Sequence, residues 1–349
     1  MNEPTTAVKR EYLPPDYRLL SICRGELMGA AMLWVMLFHS YSLPVPWLPL
    51  DLVKRMGFAG VDIFLLLSAM GLYVSRRNRP EEGFPSYIVR RLKRVLPAYW
   101  LVVGVYSLWL VARGRIRWST ALWSLSTLHY WFNIPDTFNW YVPALLAFYA
   151  LAPLYIRLFD RCPRKEWLTA AASLLSYGIY RLSSPLGYFH TVDFVYRIPA
   201  FAMGVLAGYY LLEKRPLTPR HGIAWGIPAL AGLVLGALTL KWIIYVPYCY
   251  LIALLLMPAC LAGAWLLQFL RRGWFGKVLR LIGGCSLEIY LLNVILTRET
   301  DVMTLAGPDS GLPKVYAVFL ALTAANILLG ILLHKGLEKI ADRRKIARG

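Results

Sequence analysis

Two ionisable groups stand where an apolar chain has least reason to keep them. His39 falls within M-L-F-H-S and Asp62 within G-V-D-I-F, each in a long apolar run, with a short connection between the runs. If the runs cross a membrane in opposite directions, the two groups lie at similar depth and can touch. A carboxylate bonded to one imidazole nitrogen fixes the tautomer and makes the other nitrogen the better base, as removal of a proton from a hydroxyl requires. The same pair also reads as a buried polar fastening between two helices.

Cations supply a second kind of chemistry. Arg24 precedes His39 by 15 residues, which on one helix is about 22 Å of rise and about 60° from the same face. Arg24 therefore belongs at the opposite mouth of the face that carries His39. Arg90, Arg91, Lys93 and Arg94 form a dense cluster in Y-I-V-R-R-L-K-R. Guanidinium groups hold phosphates bidentately, and an anchor to anionic lipid headgroups is the competing reading. Asp193 and Arg197 have the i,i+4 spacing of an ion pair, either structural or in contact with substrate.

Other chemistries find no support. His129, His190, His221 and His334 show no metal-ligand spacing, and Cys23, Cys162, Cys249, Cys260 and Cys285 form no C-x-x-C pair. The sequence lacks G-x-S-x-G, a P-loop and G-x-G-x-x-G, so a serine hydrolase, an ATP-driven pump and a dinucleotide enzyme are not indicated. An activated donor must come from elsewhere, and no metal is expected.

The elements that position these groups must be membrane helices. Of 349 residues, 58% are hydrophobic and only 16% charged, well under the roughly one quarter usual for soluble domains. A span needs about 17 to 25 mostly apolar residues. That rule predicts an all-α polytopic bundle of about ten spans, at 26–43, 59–75, 95–112, 140–158, 167–182, 194–212, 222–240, 246–269, 281–297 and 314–334. The even count puts both termini on one side. That side holds 28 of the 38 Lys and Arg and the other nine, with Arg197 inside a span, so both ends are expected in the cytoplasm. The net charge of +19 thereby becomes a topology signal instead of a nucleic-acid signal.

Residues 1–22 read as a cytoplasmic segment without the apolar core of a cleaved signal, and 336–349 as a basic cytoplasmic tail. Tyr87 to Arg94, with apolar residues interleaved, reads as a surface helix. The outer segment 113–139 is rich in Trp and Ser without a strand pattern.

Six pieces in order resemble the acyltransferase 3 family of integral membrane acyltransferases, which includes O-antigen and exopolysaccharide O-acetylases. They are R-G-E-L-M-G-A-A-M-L-W-V-M-L-F-H-S at 24–40, G-V-D-I-F-L-L-L-S-A-M-G at 60–71, Y-I-V-R-R-L-K-R-V-L-P-A-Y-W at 87–100, W-Y-V-P-A-L-L-A-F-Y-A-L-A-P at 140–153, R-I-P-A-F-A-M-G at 197–204 and S-L-E-I-Y-L-L-N at 286–293. The likeness covers about 20 to 335 and makes 23–335 one membrane acyltransferase domain. It implies ten helices around a cavity, in a bacterial inner membrane. An acyl-CoA donor, acetyl-CoA foremost, enters from the cytoplasm, and a carbohydrate hydroxyl is the acceptor.

By that resemblance His39 matches the catalytic histidine, Asp62 its acid, and Arg90, Arg91 and Arg94 the basic motif assigned to the CoA phosphates. Ser68, Tyr290 and Asn293 are oxyanion candidates, and Trp140, Tyr149 and Arg197 substrate-contact candidates. Three positions depart from the family pattern. Met28 stands where an arginine is common, and Arg24, one turn back, takes that role. Leu145 replaces a glutamate, and Asn293 replaces a histidine. The chemistry implied is direct transfer with His39 as base, or relay through an acyl-histidine. The rival classes are a transporter or flippase of a glycan or small organic acid, in which Asp62, Asp193 and Arg197 would be pathway charges, and a non-catalytic scaffold.

Overall fold

The computed structural model describes residues 12–183, 191–241, 243–244, 246–307 and 309–346. The first eleven residues, His190 and the last three residues lie outside them. The described chain is about 80% helical and contains no strand. In chain order the helices are α1 (Tyr17–Ile22), α2 (Arg24–His39), α3 (Leu48–Arg55), α4 (Ala59–Arg77), α5 (Phe84–Ala112), α6 (Trp118–Ser126), α7 (Tyr141–Arg161), α8 (Lys165–Ser183), α9 (Val192–Tyr196), α10 (Ile198–Leu212), α11 (Pro219–Leu240), α12 (Tyr248–Leu270), α13 (Trp274–Gly284), α14 (Ser286–Glu299), α15 (Val302–Ala306) and α16 (Leu312–Ile346).

Seven helical segments are long and apolar enough to cross a membrane, and an eighth results if α13 and α14, bent by 75° about Cys285, form one broken span. The expected ten also include α2, which has 16 residues, and α8, which carries Lys165, Glu166 and Arg181. Wide apolar faces confirm a lipid-facing exterior: Leu174 and Leu175 on α8, Ile227 and Leu230 on α11, and Leu328 and Leu332 on α16 are all exposed.

Small residues set the tightest crossings. A Cβ at Gly29 would lie 1.9 Å from the Leu279 carbonyl oxygen, and one at Gly283 2.0 Å from that of Gly25. Helices α2 and α13 therefore touch backbone to backbone. Gly204 does the same for α10 against α4, with its missing Cβ 2.3 Å from the Leu66 carbonyl oxygen. Where lipid removes most of the hydrophobic drive between helices, such close approach supplies the dispersion contacts that hold them.

Two sequence boundaries are redrawn. Residues 12–22 are docked on the bundle, since the Leu13 main chain exchanges two hydrogen bonds with the Gln268 amide (3.0 and 2.8 Å) and Tyr17 and Leu20 are fully buried. Helix α16 runs unbroken past 335. The expected surface helix Tyr87–Arg94 is the first part of α5, continuous with its span, and Tyr87 is buried with its hydroxyl donating to the Tyr149 carbonyl.

Candidate active site

Helices α2, α4, α5, α7, α13 and α14 enclose a cavity of about 440 Å³ lined by Arg24, Ser68, Arg91, Arg94, Tyr149 and Tyr290 among others. Helix geometry explains which of the clustered cations reach it. Arg91, Arg94 and Val95 share one face of α5 at i, i+3 and i+4 and line the cavity. Arg90 is about 100° off that face and turns to Glu82, which it grips with two guanidinium nitrogens, and to the Ser75 hydroxyl. The expectation that Arg90 joins Arg91 and Arg94 at one phosphate site is corrected accordingly.

Arg24 and Met28 are one turn apart on α2 and line the same cavity. An arginine at 24 thus enters the space that one at 28 would face. Its guanidinium packs beside Gly71 on α4, where a Cβ would lie at ordinary contact distance, 3.7 Å. Among the described residues Arg24, Arg91 and Arg94 have no carboxylate partner, and buried nitrogens of Arg24 (Nε) and Arg91 (Nε, Nη2) lack hydrogen bonds. Glu288 also lines the cavity but is held by His334, Oε1 to Nδ1 3.0 Å, and Arg280 is tied to Glu26 at 2.7 Å. Three cations thus line one cavity without a carboxylate partner among the described residues.

His39, the last residue of α2, lies in a separate pocket of about 50 Å³ with Asn293. Its Nδ1 is 2.6 Å from Asn293 Oδ1. With that amide oxygen as acceptor, Nδ1 carries the proton and Nε2 the lone pair. Tyr290, one turn from Asn293 on α14, lines the large cavity, and its ring centroid is 6.4 Å from that of His39. The two spaces thus lie along neighbouring turns of α14, one lined by Tyr290 and the other by Asn293.

The expected contact between His39 and Asp62 is not made. Asp62 accepts from Arg197 at 2.5 Å, with both side chains at 3% exposure or less. The face of α4 that meets α2 holds Gly60, whose Cβ would be 2.6 Å from the Ala31 carbonyl oxygen. Asp62 is two residues, about 200°, further round, on the stripe with Leu66 and Ala69 that receives α10 at Gly204. Arg197 begins that same face of α10, two turns before Gly204. The expected Asp193–Arg197 ion pair also does not form among the described residues. Trp140 and Phe58 stack on the Arg197 guanidinium at 5.6 and 5.8 Å, a cation–π cover that completes a closed, dry pair.

The sequence therefore gave twelve site residues that the fold sorts into three groups, with Arg90 apart. Asn293, an oxyanion candidate from the sequence, lies beside His39 Nδ1. Asn326 on α16 was missed; it lines the His39 pocket at 1% exposure. Its signal was an amide midway along an otherwise apolar run. His129 (Nε2 to Asn139 O, 2.7 Å) and His221, in the capping box of α11, have structural duties. Among the described residues no group of three or more His, Cys, Asp or Glu is arranged to hold a metal.

Comparison with known proteins bears on this arrangement. A family model described as an acyltransferase domain matches residues 29–335. A Komagataeibacter xylinus protein bearing the name membrane-bound transacylase BcsY is 24% identical over 275 residues, 69% of this chain. The chain spans 66% of that relative's length, just under two thirds. No solved structure matches the chain. On the family match, which runs from within α2 into α16, the chain belongs to the acyltransferase 3 family.

Proposed function

We propose that the protein is an integral membrane acyltransferase that moves an acyl group, acetyl foremost, from acyl-CoA to a hydroxyl of a cell-surface or lipid-linked carbohydrate. The observation that carries this reading is the presence of two spaces on neighbouring turns of α14, at Tyr290 and at Asn293. One is a cavity with three arginines and no counter-charge among them, and the other holds a histidine whose Nδ1 is bound by an amide. The first suits the phosphates of CoA and the second suits proton removal.

In this reading Arg24, Arg91 and Arg94 hold the donor phosphates, and the pantetheine arm runs toward Tyr290. His39 Nε2 takes the proton of the acceptor hydroxyl as its oxygen attacks the thioester carbonyl. The C–S bond breaks, the imidazolium returns the proton to the departing thiolate, and ester and free CoA result. The Tyr290 hydroxyl and Ser68, which line the cavity, donate to the carbonyl oxygen as negative charge develops. Asn293 holds the productive tautomer of His39. Asp62, Arg197 and Trp140 form a buried brace that fixes α4 against α10. Both chain ends face the cytoplasm of a bacterial inner membrane, so CoA enters at the Arg24 end.

The test is mass spectrometry of surface polysaccharide with and without the gene, seeking an ester increment, beside purified protein assayed with radiolabelled acetyl-CoA. His39→Ala is expected to lower transfer by about 10²- to 10⁴-fold with the CoA dissociation constant unchanged, and paired Arg91→Ala and Arg94→Ala to weaken CoA binding by tenfold or more. Substrate movement without acyl-CoA consumption would replace the proposal with transport.

A further inference from the structure

The pocket that holds His39 is walled on its far side by α16, and that wall is not apolar. From Val315 to Leu333 the only polar side chains on α16 are Tyr316, Thr323 and Asn326. Tyr316 donates to the Pro44 carbonyl at 2.9 Å. Thr323 and Asn326 are i,i+3, share one face, and both line the pocket with His39, Asn293 and Thr297. Asn326 is 1% exposed, and neither Oδ1 nor Nδ2 has a hydrogen-bond partner. A primary amide with both ends orphaned, in a helix whose other neighbours are lipid-like, is a steep cost unless something polar enters the pocket.

We propose that Asn326 is the acceptor-recognition residue of this site and that it reads a second hydroxyl close to the one that reacts, so that the acceptor is a diol. This rests on the transfer chemistry proposed above and names the substrate class for it. The pocket volume of about 50 Å³ admits one or two small polar groups and no whole sugar ring. His39 Nε2 receives one hydroxyl. The Asn326 amide matches the second hydroxyl in both senses, with Oδ1 accepting its proton and Nδ2 donating to its oxygen. A simple alcohol would leave the amide orphaned, and this is the kind of mismatch that discriminates most strongly between substrates.

Small probes that fit the pocket make the test independent of the natural acceptor. Purified full-length protein in detergent is given acetyl-CoA and 1,2-propanediol, 1,3-propanediol or 1-propanol, and ester products are measured by mass spectrometry. Wild type is expected to acetylate the two diols at least tenfold more efficiently than 1-propanol. Asn326→Leu should raise the KM for the diols and erase the preference, with the KM for acetyl-CoA unmoved. Thr323→Val is a second variant on the same wall and should weaken the preference in part if Asn326→Leu does not fold. Equal use of all three probes by wild type overturns the proposal. So does an unchanged preference in a folded Asn326→Leu protein, which would mean that the amide meets only trapped water. Ester formation from none of the probes by protein that binds acetyl-CoA also overturns it, whereas absence of acetyl-CoA binding defeats the donor reading instead.

Discussion

If Asp62 braces α4 against α10 and does not orient His39, its loss should harm the fold and spare the chemistry, and the harm should be reversible by removing Arg197 as well. Asp62→Leu leaves the Arg197 guanidinium buried at 3% exposure with no counter-charge. Two unit charges about 4 Å apart interact by about 4 kcal/mol at an effective dielectric constant of about 20. Removing one partner of a buried pair costs about 3–5 kcal/mol by direct measurement in other proteins. Either figure is roughly a thousandfold in a folding equilibrium. Replacing both, as Asp62→Leu with Arg197→Met, should be near neutral, because the desolvation of both charges is no longer needed. The assay is a double-mutant cycle on the thermal midpoint in detergent, with acetyl transfer measured per folded molecule below that midpoint. A single-variant midpoint well below wild type, recovered in the double variant that retains transfer within about tenfold, fits the brace. Equal loss of transfer by about 10²-fold or more in single and double variants of undiminished stability would refute it, and would return Asp62 to His39.

Asn293→Ala removes the 2.6 Å contact to Nδ1; a lost hydrogen bond and an orphaned buried nitrogen together cost about 1–3 kcal/mol, so turnover should fall about 10- to 100-fold with the acetyl-CoA KM unchanged, read by steady-state kinetics. The connection between α4 and α5 has its own acid sensitivity. The Arg90 guanidinium hydrogen-bonded to Glu82 holds that carboxyl below its ordinary value of 4.5, so the link is in force above that value and is lost as pH falls through the lowered one. Glu82→Gln should flatten the acid limb of thermal midpoint against pH, and an unaltered limb would remove Glu82 from the account.

What the sequence made legible follows the physics that acts along one helix. Apolar run length found the long apolar helices, and the one-turn spacing of Arg24 and Met28 fits the one cavity that both line. Pairing across helices was less visible. Depth placed His39 and Asp62 level with each other, but depth does not give rotation, and about 200° separates Asp62 from the face that Gly60 presents to α2. The glycines held that information, since Gly60 and Gly204 mark which sides of α4 and α10 are in contact. The nearest carboxylate in sequence to Arg197 was Asp193, yet a buried guanidinium takes the partner its tertiary face meets. The division of Arg90 from Arg91 and Arg94 was available from the 100° step alone. Asn326 was missed because its meaning depends on the space in front of it, which no local pattern encodes.

Helix α2 bears Arg24 at one end and His39 at the other, with its backbone pressed on α13 through Gly25 and Gly29. That makes it a gauge. About 22 Å of uninterrupted helix fixes the separation between Arg24 and His39, and an inserted or deleted residue would alter that length and turn one end about 100° away from its cavity. On the proposed chemistry, donors are graded by reach: one too short from phosphate to carbonyl leaves its acyl carbon short of the histidine, and only a carrier of matching length delivers it.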